Sequence, residues 1–256
     1  MLIRYPGSKD RHASLILPKL DLRDRRLCEP FAGTAAVTFA CLRRGLVDHV
    51  WLNDSDRGMS DLWATVRDYP DRLCDLVTGY IPSAPSFYAL RDQEFDRPDL
   101  NAFATIVLHQ ISYSGLGRKA GSPIGGREQL GKYKVDCRWN AARLTASIRE
   151  AHGLLAKART VITNTDWSDC PDWSWYVDPP YVDAGSSLYR EGVFPVRALS
   201  DHLYTKAEWW VLSYDNAPEV QAAYHWAEID SGGETYLGQT SRKTELLITP
   251  SVPVTA

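Results

Sequence analysis

The stretch Leu27-Cys-Glu-Pro-Phe-Ala-Gly-Thr-Ala-Ala-Val-Thr-Phe-Ala-Cys-Leu-Arg-Arg-Gly45, followed by His49-Val-Trp-Leu-Asn-Asp54, decides the fold. Leu27 to Phe31 is a short apolar run that ends in a glycine turn at Gly33. The residues after it read as a helix, with Gly45 placed to cap its end. His49–Asn53 is a second apolar run, closing on a polar edge at Asn53-Asp-Ser-Asp56. Strand, helix and strand in that order make a βαβ unit, the building block of an open α/β sheet.

Outward from this unit the pattern breaks and then resumes. Ser60–Val77 is helical in period until Pro82 and Pro85 interrupt it, and Asn101–Ser112 is a further helix. Ser114-Gly-Leu-Gly-Arg-Lys-Ala-Gly-Ser-Pro-Ile-Gly-Gly126 is glycine-rich with little hydrophobic pattern, which reads as a mobile loop. The α/β pattern returns with a helix over 139–158 and strands at Thr160–Asn164, Trp173–Val177 and Trp209–Ser213. Leu199–Leu203 is helical and Lys243–Thr249 a late strand. This predicts an α/β domain interrupted by helices and a loop.

The 256 residues suffice for a substantial core, and 44% hydrophobic with 24% charged content suits a globular protein. No apolar run approaches the roughly 18 residues of a membrane span, and the N-terminus lacks a secretory pattern. A cytoplasmic protein is expected. Cys28, Cys41, Cys74, Cys137 and Cys170 are scattered with no C-x-x-C pair, so neither a metal nor a disulfide framework is predicted. Net charge is −3, yet residues 118–159 carry ten basic side chains against three acidic ones, a local +7. Such a block suits a face that meets phosphate, although a solvated helix surface has the same composition.

Three carboxylates stand just past apolar runs: Asp54, Asp166 and Asp178. In open α/β sheets ligands bind outside the carboxyl ends of the strands, and an acid after the second strand commonly holds ribose hydroxyls. Each alone is equally a helix cap. Together with Gly33, and without a G-x-G-x-x-G pyrophosphate cradle, they favour a nucleoside lacking phosphates. Asp178-Pro179-Pro180-Tyr181 is the sharpest element. Its prolines offer carbonyl acceptors and no N–H, so aspartate and carbonyl together suit an aromatic amino group, with Tyr181 as a stacking surface. A plain proline turn is the alternative. His109, among apolar helix neighbours, reads as a packing residue.

These elements, with Arg4-Tyr-Pro-Gly-Ser-Lys9, Glu29-Pro-Phe-Ala-Gly33, Leu52-Asn-Asp-Ser55, Asn164-Thr-Asp166, Leu212-Ser-Tyr-Asp-Asn216 and Ser241-Arg-Lys-Thr-Glu-Leu-Leu247, occur in an order that resembles Dam-type adenine-N6 DNA methyltransferases. The resemblance implies a Rossmann-like class I methyltransferase sheet. It assigns residues 1–57 and 138–256 to an S-adenosylmethionine-binding catalytic domain, and 58–137 to an inserted, mainly helical target-recognition domain. Tyr5, Pro6, Gly7, Lys9, Glu29, Phe31, Gly33, Asp54, Asp166 and Asp178 would line the S-adenosylmethionine site. Asp54 would hold the ribose, Asp166 the cofactor's adenine, and Lys9 would lie near the methionine end or the target pocket. Asp178, Pro179, Pro180 and Tyr181 would hold the target base.

The resemblance implies a monomer in a bacterial or phage-infected cell, whose partner is double-stranded DNA, with no metal and no membrane, met through Ser114, Arg118, Lys119, Arg127, Lys132, Lys134 and Arg138. Arg118 would contact a guanine or anchor a phosphate. Ser114-Gly-Leu-Gly-Arg118 departs from the family's Asn-Gly-Leu-Tyr-Arg at two positions, which predicts a specificity different from, or looser than, GATC. The amino nitrogen of adenine is a poor nucleophile because its lone pair is delocalised. Hydrogen bonds to Asp178 and the Pro179 carbonyl would localise that pair and favour the transition state, once the base is flipped from the duplex. The alternatives are a cytosine-N4 methyltransferase, usually with serine in place of Asp178, and a catalytically inactive DNA-binding relative.

Overall fold

Leu27 and Cys28 are wholly buried in the first strand, β1 (Arg26–Glu29), and the sheet is built outward from it. The computed structural model describes residues 2–4, 9, 12–181, 194–206, 208–237 and 241–251, with the backbone alone for 231–237 and 241–244. The expected cofactor residues Tyr5, Pro6 and Gly7 lie outside the described residues. No described helix is long and apolar enough to cross a membrane.

The chain divides into two compact units, Lys9–Ser55 with Ala158–Ala256, and Met1–Ser8 with Asp56–Lys157. In the first, β2 (His49–Asn53), β3 (Arg159–Thr163), β4 (Ser174–Val177), β5 (Trp210–Asp215), β6 (Glu228–Leu237) and β7 (Ser241–Thr249) join β1 in one sheet. The order is β3-β2-β1-β4-β5-β7-β6. Strands β1 to β5 run parallel, and β7 is antiparallel to both β5 and β6. The sheet is mixed, in keeping with the α/β class expected from the sequence. Every residue of β4 and β5 is buried, as befits central parallel strands covered on both faces. β3 lies at an edge, and its residues are all exposed or half-buried. From β1 the chain builds β2 and β3 on one side and later returns to place β4 and β5 on the other. The carboxyl ends of β1 and β4 therefore flank the switch point where open sheets bind ligands.

Helix α1 (Ala13–Ile16) precedes β1, and the turn after β1 is tight. Gly33 and Ala35 have φ of +47° and +51°, and helix α2 (Ala36–Arg43) begins directly after them without a side-chain cap from Ala35. Glu29 supplies the cap instead, its Oε1 accepting from Thr38 N at 2.6 Å. α2 ends at Arg44, and Gly45 follows at φ +64°, the left-handed position the sequence assigned to it. Helices α8 (Val196–Thr205) and α9 (Pro218–Ala223) pack on each other, their Leu199, Leu203 and Val220 sharing one core with Trp175, Trp210 and Tyr214.

The second unit is helical: α3 (Arg57–Asp68), α4 (Pro70–Thr78), α5 (Ala84–Asp92), α6 (Pro98–Ile111) and α7 (Ala141–Leu155). The single helix expected over 60–77 is two, divided at Tyr69-Pro70. Pro70 takes the first position of α4, where its missing N–H costs nothing. Pro85 likewise opens a helix rather than ending one, under a Ser83–Ser86 capping box. α7 packs on α3 and α4, so residues 138–157, assigned in advance to the catalytic part, belong to this unit. The glycine-rich segment is not a bare loop. Ile124 N donates to Ile111 O, Tyr113 N to Ser122 O, and Gln129 bonds Ile124 O, Gly126 O and Val135 N. Ala120 and Val135 drop into a core with Phe87, Val107 and Ile111. Two small anchors separated by glycines carry no periodic signal, which is why the sequence reads as loose there.

Candidate active site

Asp178 stands at the carboxyl end of β4, where the proline pair halts the strand. Lys9 reaches it from the N-terminal segment of the same unit. Its Nζ donates to Asp178 Oδ1 at 2.8 Å, to Oδ2 at 2.9 Å and to Tyr181 Oη at 2.8 Å, and lies 3.1 Å from Glu245 Oε1. Tyr181 Oη in turn donates to Glu245 Oε1 at 2.7 Å. The ammonium also sits 5.1 Å from the centre of the Tyr181 ring. One cation is thus shared by two carboxylates and a phenol, with Lys9 and Glu245 almost wholly buried and Asp178 keeping 22% of its side chain exposed. Asp178 is the member of the cluster that is open to a ligand.

Electrostatics follow from this burial. Asp178 is pushed up to about 6, first by burial and further by Glu245, against the pull of Lys9. Burial opposes the charge on Lys9, but Asp178 and Glu245 outweigh it and hold its pKa above the ordinary lysine value. Glu29 is pushed up to about 8 by burial, against its Thr38 bonds and with a smaller push from Asp178. Burial thus favours its neutral form, and its Oε1 remains the acceptor that caps α2.

Pro180 O accepts from Tyr214 Oη at 3.1 Å, which fixes the second proline, whereas the Pro179 carbonyl has no donor among the described residues. Tyr181, expected as an open stacking surface, is instead only 9% exposed. Its hydroxyl is tied into the cluster and its ring lies 5.9 Å from that of Tyr214 at 29°. It braces Lys9 and leaves little bare face.

Glu245 was not singled out from the sequence. The signal was present in Thr244-Glu-Leu-Leu-Ile248, since a charged residue within an apolar strand has to be paired once buried. It faces Asp215 in the β5–β7 register.

Around the carboxyl ends of β1 to β3 the expected cofactor residues come together. Asp54 Oδ2 accepts from Gly33 N at 2.8 Å, so the acid after β2 locks the glycine turn after β1. Asn164 Nδ2 donates to Asp54 O and Ser55 O, joining the ends of β2 and β3. Asp166 Oδ1 accepts from Ser168 N and Oγ and caps a short turn of helix. Phe31 packs edge-on to Phe194 with centroids 5.5 Å apart and lies 6.3 Å from Trp167. His202, by contrast, is packing: it stacks on Trp175 and meets Trp167 edge-on.

The residues expected to meet DNA all fall in the helical unit. Lys119, Arg127, Lys132, Lys134 and Arg138 are exposed. Arg127 lies over the Tyr88 ring at 4.6 Å, Lys134 bonds Gln129 O, and Ser114 Oγ accepts from Leu116 N. Arg118 has a different use from the guanine or phosphate contact expected. Its guanidinium donates to the carbonyls of Leu90, Arg91 and Gln93 at 2.7–3.1 Å and to Asn101 Oδ1 at 3.0 Å, closing the end of α5. Last-turn carbonyls are unsatisfied acceptors that a cation suits well. Gly117 explains its own departure from the family pattern: at φ +58° a Cβ would stand 2.6 Å from His109 Nε2. His109 is buried, bonds Gly115 O at 2.8 Å, and has its pKa lowered by burial, in keeping with a packing role.

Among the described residues there is no cluster of three or more metal-ligating side chains. A search among curated proteins found no match. The model of the D12 class N6 adenine-specific DNA methyltransferases matches residues 5–192, from the N-terminal segment through the Asp178-Pro-Pro-Tyr181 turn. DNA methyltransferases of this kind generally take their methyl group from S-adenosylmethionine. With most of the chain matched, the protein belongs to the D12 class of N6 adenine-specific DNA methyltransferases.

Proposed function

We propose that this adenine-N6 DNA methyltransferase binds S-adenosylmethionine across the ends of β1 to β3 and presents a flipped adenine to Asp178. The observation that carries the reading is the Lys9-held Asp178 carboxylate at the switch point, beside a Pro179 carbonyl that has no donor among the described residues. The cofactor supplies an electrophilic methyl group on a sulfonium. Phe31, Trp167 and Phe194 offer its adenine a flat apolar slot, Asp54 and Asp166 offer acceptors at neighbouring strand ends, and no phosphate cradle is needed. Asp178 and Pro179 O accept the two N–H bonds of the target amino group and stabilise the positive charge that grows on its nitrogen. The excess proton then passes toward Asp178, whose pKa of about 6 suits a weak base. Lys9, Tyr181 and Glu245 keep the carboxylate from turning away.

The helical unit, with its exposed Lys119, Arg127, Lys132, Lys134 and Arg138, serves as the DNA-reading part in this proposal. Arg118 supports it from within. Calorimetry tests the cofactor site: Asp54→Ala should weaken S-adenosylmethionine binding about tenfold, the effect of roughly one lost hydrogen-bonded charge contact. Undiminished affinity would move the ribose elsewhere.

The Asp178 value sets a pH dependence. The fold raises its pKa above the ordinary aspartate value, so protonation is favoured below about 6 and removes the acceptor. Accordingly kcat/KM for DNA should be level above pH 7 and fall about tenfold per pH unit below 6. A profile flat to pH 5 would argue that Asp178 is not the titrating acceptor.

A further inference from the structure

A cleft of about 550 Å³ opens within the helical unit at the start of α7, remote in sequence from the Asp178 turn. Three arginines line it: Arg4, Arg138 and Arg143. No carboxylate is among its lining residues, although acids outnumber bases in the whole chain. Arg4 is anchored by donating to Ser112 O at 3.2 Å and Tyr113 O at 3.3 Å, which keeps its charge at the wall. Burial, and then the Arg138 charge, lower its pKa, so two like charges are held near one another without an acidic partner described for either. That is costly unless a third, negative group completes the set.

Further features add to this. Asn140 caps α7 by accepting from Arg143 N at 2.9 Å, so the positive end of a 15-residue helix faces the same region. Trp139, another lining residue, has a buried indole N–H with no acceptor among the described residues.

We propose that this cleft is a phosphate clamp: Arg138 and Arg143, backed by Arg4 and the start of α7, grip a backbone phosphodiester of the bound DNA. The proposal rests on DNA being the substrate and adds a contact that fixes the duplex relative to the helical unit without reading sequence. Phosphate neutralisation by arginines releases counterions, so the clamp contributes to the salt dependence of binding.

Cys137 gives a direct probe, because it lines the cleft and is exposed while the other four cysteines are buried. A short duplex should slow alkylation of Cys137 by iodoacetamide at least tenfold. In the Arg138→Gln/Arg143→Gln double variant that protection should be lost. Its DNA affinity should fall about tenfold or more, and the slope of log Kd against log salt should shrink by about 1 to 2. Calorimetry of S-adenosylmethionine with the double variant should match the wild type, which shows that the fold is intact. An unchanged salt slope and affinity in the double variant overturns the clamp. So does protection by inorganic phosphate equal to that by DNA at the same phosphate concentration, which would make the cleft a site for free anions. Protection by DNA in a wild-type protein that fails to methylate it would sink the catalytic reading and leave the clamp standing.

Discussion

Replacing Asp178 by asparagine should abolish most methyl transfer and make the protein more stable. The carboxylate is the charged half of the acceptor pair, and an amide in its place offers a weaker acceptor and competing N–H donors. Losing one such preorganised contact typically lowers kcat about 10³-fold, or about 4 kcal/mol in the barrier. The stability effect has the opposite sign. Folding raises Asp178 from the ordinary aspartate value to about 6. At pH 7.5 the fold therefore bears roughly 3 kcal/mol to keep the group ionised. That cost vanishes below about pH 4, where the group is protonated folded and unfolded alike. Asparagine removes the charge while Lys9 keeps Glu245 and Tyr181 as partners. Thermal unfolding at pH 7.5 should show a higher midpoint for Asp178→Asn, and the difference should shrink toward pH 5. A lower midpoint together with retained activity would contradict both halves of this account.

The second large effect is expected at Lys9. Methionine matches its length but takes from Asp178 and Glu245 the ammonium they share. Removing one partner from a buried ion pair typically destabilises by about 3–5 kcal/mol. Part of that is relieved if Asp178 takes up a proton, so the variant that remains folded should have its acid limb moved above pH 6. Adding Glu245→Gln to Lys9→Met removes the second charge and should restore part of the lost stability. Urea unfolding measures the coupling, and a purely additive pair would mean that Lys9 and Glu245 do not share the site.

What the sequence reveals follows from how local each signal is. The β1–turn–α2 stretch was legible because strand, glycine turn and helix are consecutive and each has its own pattern. Asp178-Pro-Pro-Tyr181 was legible because the prolines fix the backbone at the point where the chemistry is needed. Glu245 was not, since its partners lie 64 and 236 positions away and only the β5–β7 pairing brings it to them. The bonds that hold Arg118 were hidden for a similar reason. A basic residue in a glycine-rich segment reads as exposed, but the carbonyls that end α5 capture it. Pro70 was read through and Pro85 was read as an interruption, because proline ends one helix and begins another with equal ease, and the caps decide which.

The central claim, methyl transfer to the adenine amino group, is tested most directly by product identity. Duplex DNA incubated with the protein and methyl-labelled S-adenosylmethionine, then digested to nucleosides, should yield label as N6-methyldeoxyadenosine, with almost none from the Asp178→Asn variant. Label in N4-methyldeoxycytidine, or DNA left unlabelled by the wild-type protein, would contradict it.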